Sequence, residues 1–412
     1  MVTSTLCTGR FAMITVTYVP LFVTILFRGM PGIWKSRHRL ILCWLVFMQA
    51  LYPGRKTLAE LAHWTPAQVT AWRLRRVLKA AYWHIHLLVE WWVQEAFNTL
   101  PPPKDGTLYL GGDGSVKPKR GTQNPVAQKG RKSEHQPWFW GVRFALLIAT
   151  WESYRFPVAF RLIRPKTHPE YRTENALFRE MVSHFVPPAW ATRVIVTGDA
   201  AYGSQENMQM VLKRDADDPA RRWGFVFAIA RTWKTVEDKA IKDLVTHLPR
   251  KYYQRIRVPR LPGATGCKTF WVYSTRLCLR HIGDVTVVLS KRGRNVGPKH
   301  TKILVTNLDE WIPRQVVSAY QRRWPVEQIN RELKTDLGLG AHQVSTEEGR
   351  IEKSFGIAVL AYLLLIRACH QEILPGKAWS VSQLQHAFRL RVITNQVEHN
   401  VKTRLTKARK AA

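Results

Sequence analysis

The sequence predicts an α/β protein: a mixed sheet with flanking helices, interrupted by inserted strands and preceded by a helical domain. Three observations carry this expectation. The first hundred residues show helix caps and no strand alternation. Residues 107–198 then read strand, strand, strand, helix, strand, and further β-branched runs lead into a charged helix near residue 327.

Residues 1–104 carry 12 Lys and Arg against three acids. Thr57 with Glu60 forms one capping-box pattern, and Thr65 with Gln68 forms another, with Pro66 at the first helical position. Two helix starts eight residues apart have the spacing of a helix-turn-helix. Its second helix would present Arg73, Arg75, Arg76 and Lys79 while Val69, Trp72 and Val77 pack inward. Such a helix can lie in a major groove, or it can be an ordinary basic bundle helix. The uncharged run Phe11–Phe27 is 17 residues long, contains Pro20, and is expected to be a buried element rather than a membrane span.

Pro101, Pro102 and Pro103 end the helical region. Thr107–Gly112 reads as a strand running into Asp113, and 115–135, with six Lys and Arg, as a loop beside it. Two strand-like runs fill 138–165, a helix spans 173–185, and the β-branched run T-R-V-I-V-T-G ends on Asp199. Residues 231–302 hold 17 Lys and Arg against four acids, with strand-like runs near Phe270–Leu279 and Asp284–Leu289. Trp233 and Trp271 there can stack on a base or fill a core. Residues 302–308 form another strand, 354–366 a core helix, and the basic tail beyond Pro375 a frayed end.

The chain carries 63 Lys and Arg against 29 Asp and Glu, a net charge of +34, which points to a polyanion and foremost to nucleic acid. Five scattered cysteines without C-x-x-C pairing exclude a recognisable zinc motif and fit a reducing cytoplasm.

The stretch Tyr320–Lys334 concentrates the chemistry. On a helix at ~100° per residue with Glu327 at zero, Tyr320, Arg323, Arg331 and Lys334 fall within about 40° of it, whereas Glu332 and Asp336 come out on the far side. Pro325 interrupts this helix, so a kink or a restart is expected there. Asp113 or Asp199 alone could be a turn acid. Both end hydrophobic strands and precede the Glu327 stretch, and together they are harder to read as mere turn acids.

The pattern Y-x2-R-x3-E-x6-K, matched by Tyr320, Arg323, Glu327 and Lys334, resembles the DDE transposases of bacterial insertion sequences, specifically the insertion-sequence-four superfamily. G-D-A-A-Y-G at 198–203 resembles that superfamily's second-aspartate block. The resemblance implies a ribonuclease H-like core, whose first and fourth strands are neighbours and would bring Asp113 and Asp199 together. It implies domains at 1–104 (helical, DNA-binding), 105–230 and 303–372 (catalytic core), 231–302 (inserted β subdomain) and 373–412 (basic tail). It further implies catalysis by Asp113, Asp199 and Glu327 with two Mg²⁺ (or Mn²⁺) per site, and phosphate contacts from Tyr320, Arg323 and Lys334, to which the helical wheel adds Arg331 as a candidate DNA contact. Arg73, Arg75, Arg76 and Lys79 become candidate DNA contacts. The partners implied are double-stranded element ends and target DNA, with a homodimer in the synaptic complex, no membrane, and a cytoplasmic, nucleoid-associated location. A nuclease of the same fold without strand transfer, and a domesticated DNA-binding protein without chemistry, are the alternatives.

Overall fold

The structure, a computed structural model, describes residues 17–31, 36–80, 83–119, 124–130, 138–261, 265–342 and 347–411. Part of the uncharged run 11–27, parts of the loop 115–135 and the final residue lie outside them.

Five helices come first: α1 (Leu21–Ile25), α2 (Ser36–Leu51), α3 (Leu58–His63), α4 (Ala71–Lys79) and α5 (Ile85–Thr99). Thr57 caps α3, its side chain accepting from the Glu60 N–H. The second cap falls elsewhere than expected. The Thr65 hydroxyl is held by the Ala62 and Val69 carbonyls, so 65–69 is a turn, and α4 starts at Ala71 with Thr70 accepting from the Arg73 N–H. Val69 and Val77 are buried, but Trp72 is 60% exposed with the Arg76 guanidinium 5.1 Å from its ring. Leu74 and Leu78 take the inward role expected of Trp72.

The strands are β1 (Thr107–Pro118), β2 (Ala127–Gly130), β3 (Phe139–Trp151), β4 (Tyr154–Leu162), β5 (Arg193–Gly198), β6 (Arg222–Ala228), β7 (Gln254–Pro259), β8 (Cys267–Leu279), β9 (Gly283–Lys291) and β10 (Lys302–Thr306). Between them lie α6 (Glu174–His184), α7 (Gln205–Asp217) and α8 (Ile241–His247). After β10 come α9 (Pro313–Gln321), α10 (Pro325–Thr335), α11 (Glu348–Ala368) and α12 (Val381–Ala411).

Among the described residues the strands form one sheet in the order β2-β3-β1-β5-β6-β10-β9-β8-β7, with β4 also on β3. It is mixed: β1 runs parallel to β5, and β5 to β6, while β3, β10 and the later strands pair antiparallel. The fold is therefore the mixed α/β sheet with flanking helices that the sequence predicts. The strands of 231–302 extend this same sheet, since β9 pairs with β10 and β10 with β6.

Strand β5 is buried on both faces, which is why it reads as an unbroken apolar run rather than an alternating one. One face packs against α9, with Ile195, Val226 and Leu304 meeting Val316, Val317 and Ala319. The main core lies elsewhere and joins α2, α5 and α11 to the sheet. Helix α11 is almost wholly buried. Trp233 and Trp271 are both partly buried against this core.

Two expectations fail for packing reasons. Strand β1 does not stop at Asp113 but continues to Pro118, because β3 pairs with it from Tyr109 to Pro118. The C-terminal basic stretch is helical to Ala411, anchored by buried Val381, Leu384, Phe388 and Val392.

Fully buried His342 ties three elements together: its ring nitrogens meet Gln49 Oε1 of α2 and Ser354 Oγ of α11, each at 3.1 Å. Burial holds its pKa down at about 3, so folding requires the neutral ring. The lowered pKa makes this contribution to stability full above the ordinary value of 6.5 and lost as the pH falls toward 3. Thermal melting from pH 7 to pH 4 is expected to drop less steeply in His342→Gln than in the parent; equal slopes would remove His342 from the acid response.

Candidate active site

Parallel pairing sets the first two carboxylates. Strands β1 and β5 pair Thr107 with Arg193 through Gly111 with Thr197. Carried two residues further, that register sets Asp113 opposite Asp199, which stands at the first position after β5. The Asp199 backbone carbonyl accepts from Tyr202 and Gly203, and Oδ1 accepts from the Ala201 N–H at 2.9 Å, so the G-D-A-A-Y-G turn is folded around this aspartate.

Strand alternation sends Asp113 to one face and Gly112 and Gly114 to the other. On the glycine face α6 comes so close that a Cβ at Gly112 would collide with the Phe178 ring, and one at Gly114 with the Glu174 carboxylate. A larger residue at Gly112 would have to displace the Phe178 ring, whereas at Gly114 the flexible Glu174 side chain would have to swing aside. On the Asp113 face lies α10. Asn330 Nδ2 donates to Asp113 Oδ2 at 3.4 Å, Lys334 Nζ donates to Ser115 Oγ, and Lys117 Nζ donates to the Lys334 carbonyl at 3.3 Å. Helix α10 thus runs alongside β1.

Pro325 is the first residue of α10, the restart that its missing N–H favours. The three residues before it keep helical order through short-range bonds, Arg322, Arg323 and Trp324 each donating to the residue three earlier. Glu327 sits in the first turn of α10, where Arg323 Nη2 donates to its Oε1 at 2.8 Å.

The carboxylates feel one another. Burial, opposed by Arg323 and reinforced by Asp199, Glu174 and Glu327, raises the Asp113 carboxyl to about 6. Glu174, at the start of α6, is a fourth carboxylate that the sequence reading missed. It accepts from Tyr202 Oη at 2.7 Å and from Arg143 Nη2 at 3.1 Å. Its only signal in sequence is its place after the cap Thr173, which marks a helix start and nothing more.

The motif cations do not gather on one side. Tyr320 and Arg323 line a cavity of about 610 Å³ between α9, α10 and strands β8 to β10, with Lys268, Lys291, Arg292 and Lys302 around it. Lys302 Nζ donates to Tyr320 Oη at 3.2 Å. Lys334 instead lines a second cleft beyond Ser115, and Arg331 is exposed and lines neither. Pro325 and the length of α10 separate groups that an unbroken wheel places together. Arg73, Arg75, Arg76 and Lys79 are all exposed on α4.

Among the described residues no three His, Cys, Asp or Glu side chains stand close enough to hold a metal ion as arranged. The donor chemistry nevertheless suits a hard divalent cation. Mutually repelling carboxylates surround Asp113, and Asn330 Oδ1 is a buried oxygen acceptor with no protein partner.

The family model described as the transposase DDE domain matches residues 120–364, more than half of the chain. The chain belongs to the transposase DDE domain family. Asp199 and Glu327 of this DDE chain lie inside the matched residues, and Asp113 lies just before them. A solved structure, the cryo-EM piggyBac transposase synaptic complex with hairpin DNA, is similar at 11% identity and a TM-score of 0.48, over 90% of this chain and 75% of that one. No curated protein matches. No described helix of the DDE chain is long and apolar enough to cross a membrane.

Proposed function

We propose that this protein is a DNA transposase of the insertion-sequence-four type that binds the terminal inverted repeats of its element, cleaves at the ends, and joins the 3′ ends to target DNA. The observation that carries the reading is the register of β1 and β5, which sets Asp113 beside Asp199 under the helix bearing Glu327. Asp113, Asp199 and Glu327 are the catalytic carboxylates and would hold two divalent ions, Mg²⁺ or Mn²⁺; bound there, such ions activate the attacking oxygen and stabilise the leaving one. Burial of Asp113 keeps bulk water from its carboxyl, and Asn330 orients it. Arg323 steadies Glu327 and, with Tyr320, offers charge to a terminal phosphate from the basic cavity. Arg331, exposed on α10, and Lys334, which lines the second cleft, are further phosphate contacts. Helix α4, with Arg73, Arg75, Arg76 and Lys79 outward, is the end-reading helix. Synapsis of two ends calls for a homodimer, and the reading carries a cytoplasmic, nucleoid-associated location with it.

The test uses duplexes from the DNA bracketing the coding sequence. Nicking at inverted repeats in Mg²⁺ or Mn²⁺, abolished by chelation and followed by joining to a plasmid, is expected. Nicking without joining would leave a ribonuclease H-like nuclease, and specific binding without nicking a domesticated DNA-binding protein.

A further inference from the structure

A second cleft of about 610 Å³ lies beyond Asp113 along β1, where Gly114, Ser115 and Val116 line it; Asp113 itself lines neither this cleft nor the basic cavity. Ser115, Lys129, Trp138, Arg143, Glu174 and Lys334 line it. Ser115 is on the same face of β1 as Asp113 and two residues along, so the cleft opens about 7 Å from the carboxylate row. Helix α10 borders both spaces: Gln328 in it, with Arg323 and Trp324 just before it, lines the first, and Lys334 lines the second, six residues or about 9 Å further along the axis than Gln328.

The chemistry of the cleft is that of a nucleic-acid seat. Trp138 is 57% exposed on the edge formed by β2 and β3, with the Lys129 ammonium 5.4 Å from its ring. Trp140, two residues on, is 39% exposed. The single acid, Glu174, is engaged by Arg143 and Tyr202, so Lys129, Arg143 and Lys334 leave the walls positive. The first cavity is lined by more cations and no acid, which suits the DNA held longest. The second has fewer cations and an exposed indole, which suits a duplex gripped briefly, without fixed sequence, and partly unstacked at one step.

We infer that this cleft seats the target duplex, so that the two basic spaces bordered by α10 hold the two DNAs joined at one set of carboxylates. The inference rests on the transposase reading above. In the joining step the 3′ hydroxyl oxygen of the element end forms a bond to a target phosphorus, and the target's P–O3′ bond breaks. The proton of the attacking hydroxyl is given up and the departing target 3′ oxygen gains one, so one phosphodiester replaces another without an outside energy source.

The experiment measures two activities in Lys129→Glu, Lys129→Gln and Trp138→Ala, all at exposed positions, with melting temperature as the folding check. Nicking of uncut bracketing duplex reports donor handling; joining of a pre-nicked end duplex to plasmid reports target handling. Nicking is expected within about twofold of the parent, while joining by Lys129→Glu and Trp138→Ala falls at least about tenfold, the scale of a lost aromatic–base contact. Lys129→Gln should fall less than Lys129→Glu. Equal loss of nicking and joining would place the donor duplex or its flank in this cleft and overturn the inference, as would unchanged joining. A parent that nicks nothing sinks the transposase reading, and the inference with it.

Discussion

Glu327→Gln is expected to leave a folded protein that binds end DNA and no longer cuts it. Losing even an outer partner of a metal ligand costs about 10- to 100-fold, so cleavage in Mg²⁺ should fall by at least ~100-fold. Stability should barely move. Glu327 is 39% exposed and its pair with Arg323 spans one helical turn, an arrangement worth about 1 kcal/mol or less. Cleavage and melting temperature measured on one preparation decide the matter. Retained cleavage would remove Glu327 from the catalytic set, and an unfolded variant would make it a structural acid.

Glu332→Gln, five residues along the same helix, should do the reverse. Glu332 faces away from Glu327 as the helical wheel places it, but that far face is the protein core. Its carboxylate is 3% exposed, accepts from Arg155 Nη2 at 2.6 Å, from Tyr362 Oη at 3.1 Å and from the Val381 N–H at 3.3 Å. The Arg155 side chain is only 8% exposed, and its guanidinium lies 3.9 Å from the Trp379 ring. Removing one charge leaves the other buried and unpaired, at a cost of about 3–5 kcal/mol. Melting should fall by roughly 3–6 °C, because an unfolding entropy of about 2.1 cal/mol/K per residue is summed over 412 residues. Replacing both partners, Arg155→Met with Glu332→Leu, should recover most of the loss, because apolar groups of similar size carry no desolvation penalty. A Glu332→Gln protein that melts with the parent would refute the assignment.

These two glutamates show what the sequence can and cannot tell. Spacing distinguishes them, and their relative angle is right. Spacing cannot say which side of a helix meets solvent, since that depends on Arg155 of β4 and Tyr362 of α11, distant in the chain. The strands leading into Asp113 and Asp199 were legible, one as the apolar run T-L-Y-L and the other as the β-branched run V-I-V-T, α6 through its local cap Thr173, and α11 through its uncharged run. Trp72 was misplaced because a seven-residue turn, set by where Thr65 bonds, moved the phase of α4. The extension of the sheet through β10 to β7 was equally hidden. Its strands were visible, but pairing between β6 and β10 joins residues far apart, and no periodicity encodes which edge a strand will choose.

The placement of Glu327 so far along the chain from Asp113 has a consequence during synthesis. The two are 214 residues apart (327 − 113), which at ~5–20 residues per second is roughly 10 to 40 s of translation. Once Asp199 has been made, the last 128 of these residues (327 − 199) leave roughly 6 to 26 s in which β1 and β5 can pair on the ribosome while the helix bearing Glu327 is still unmade. The nascent protein therefore offers polyanion-seeking charge before it can cut, and cutting begins only with chains whose helix α10 has been released.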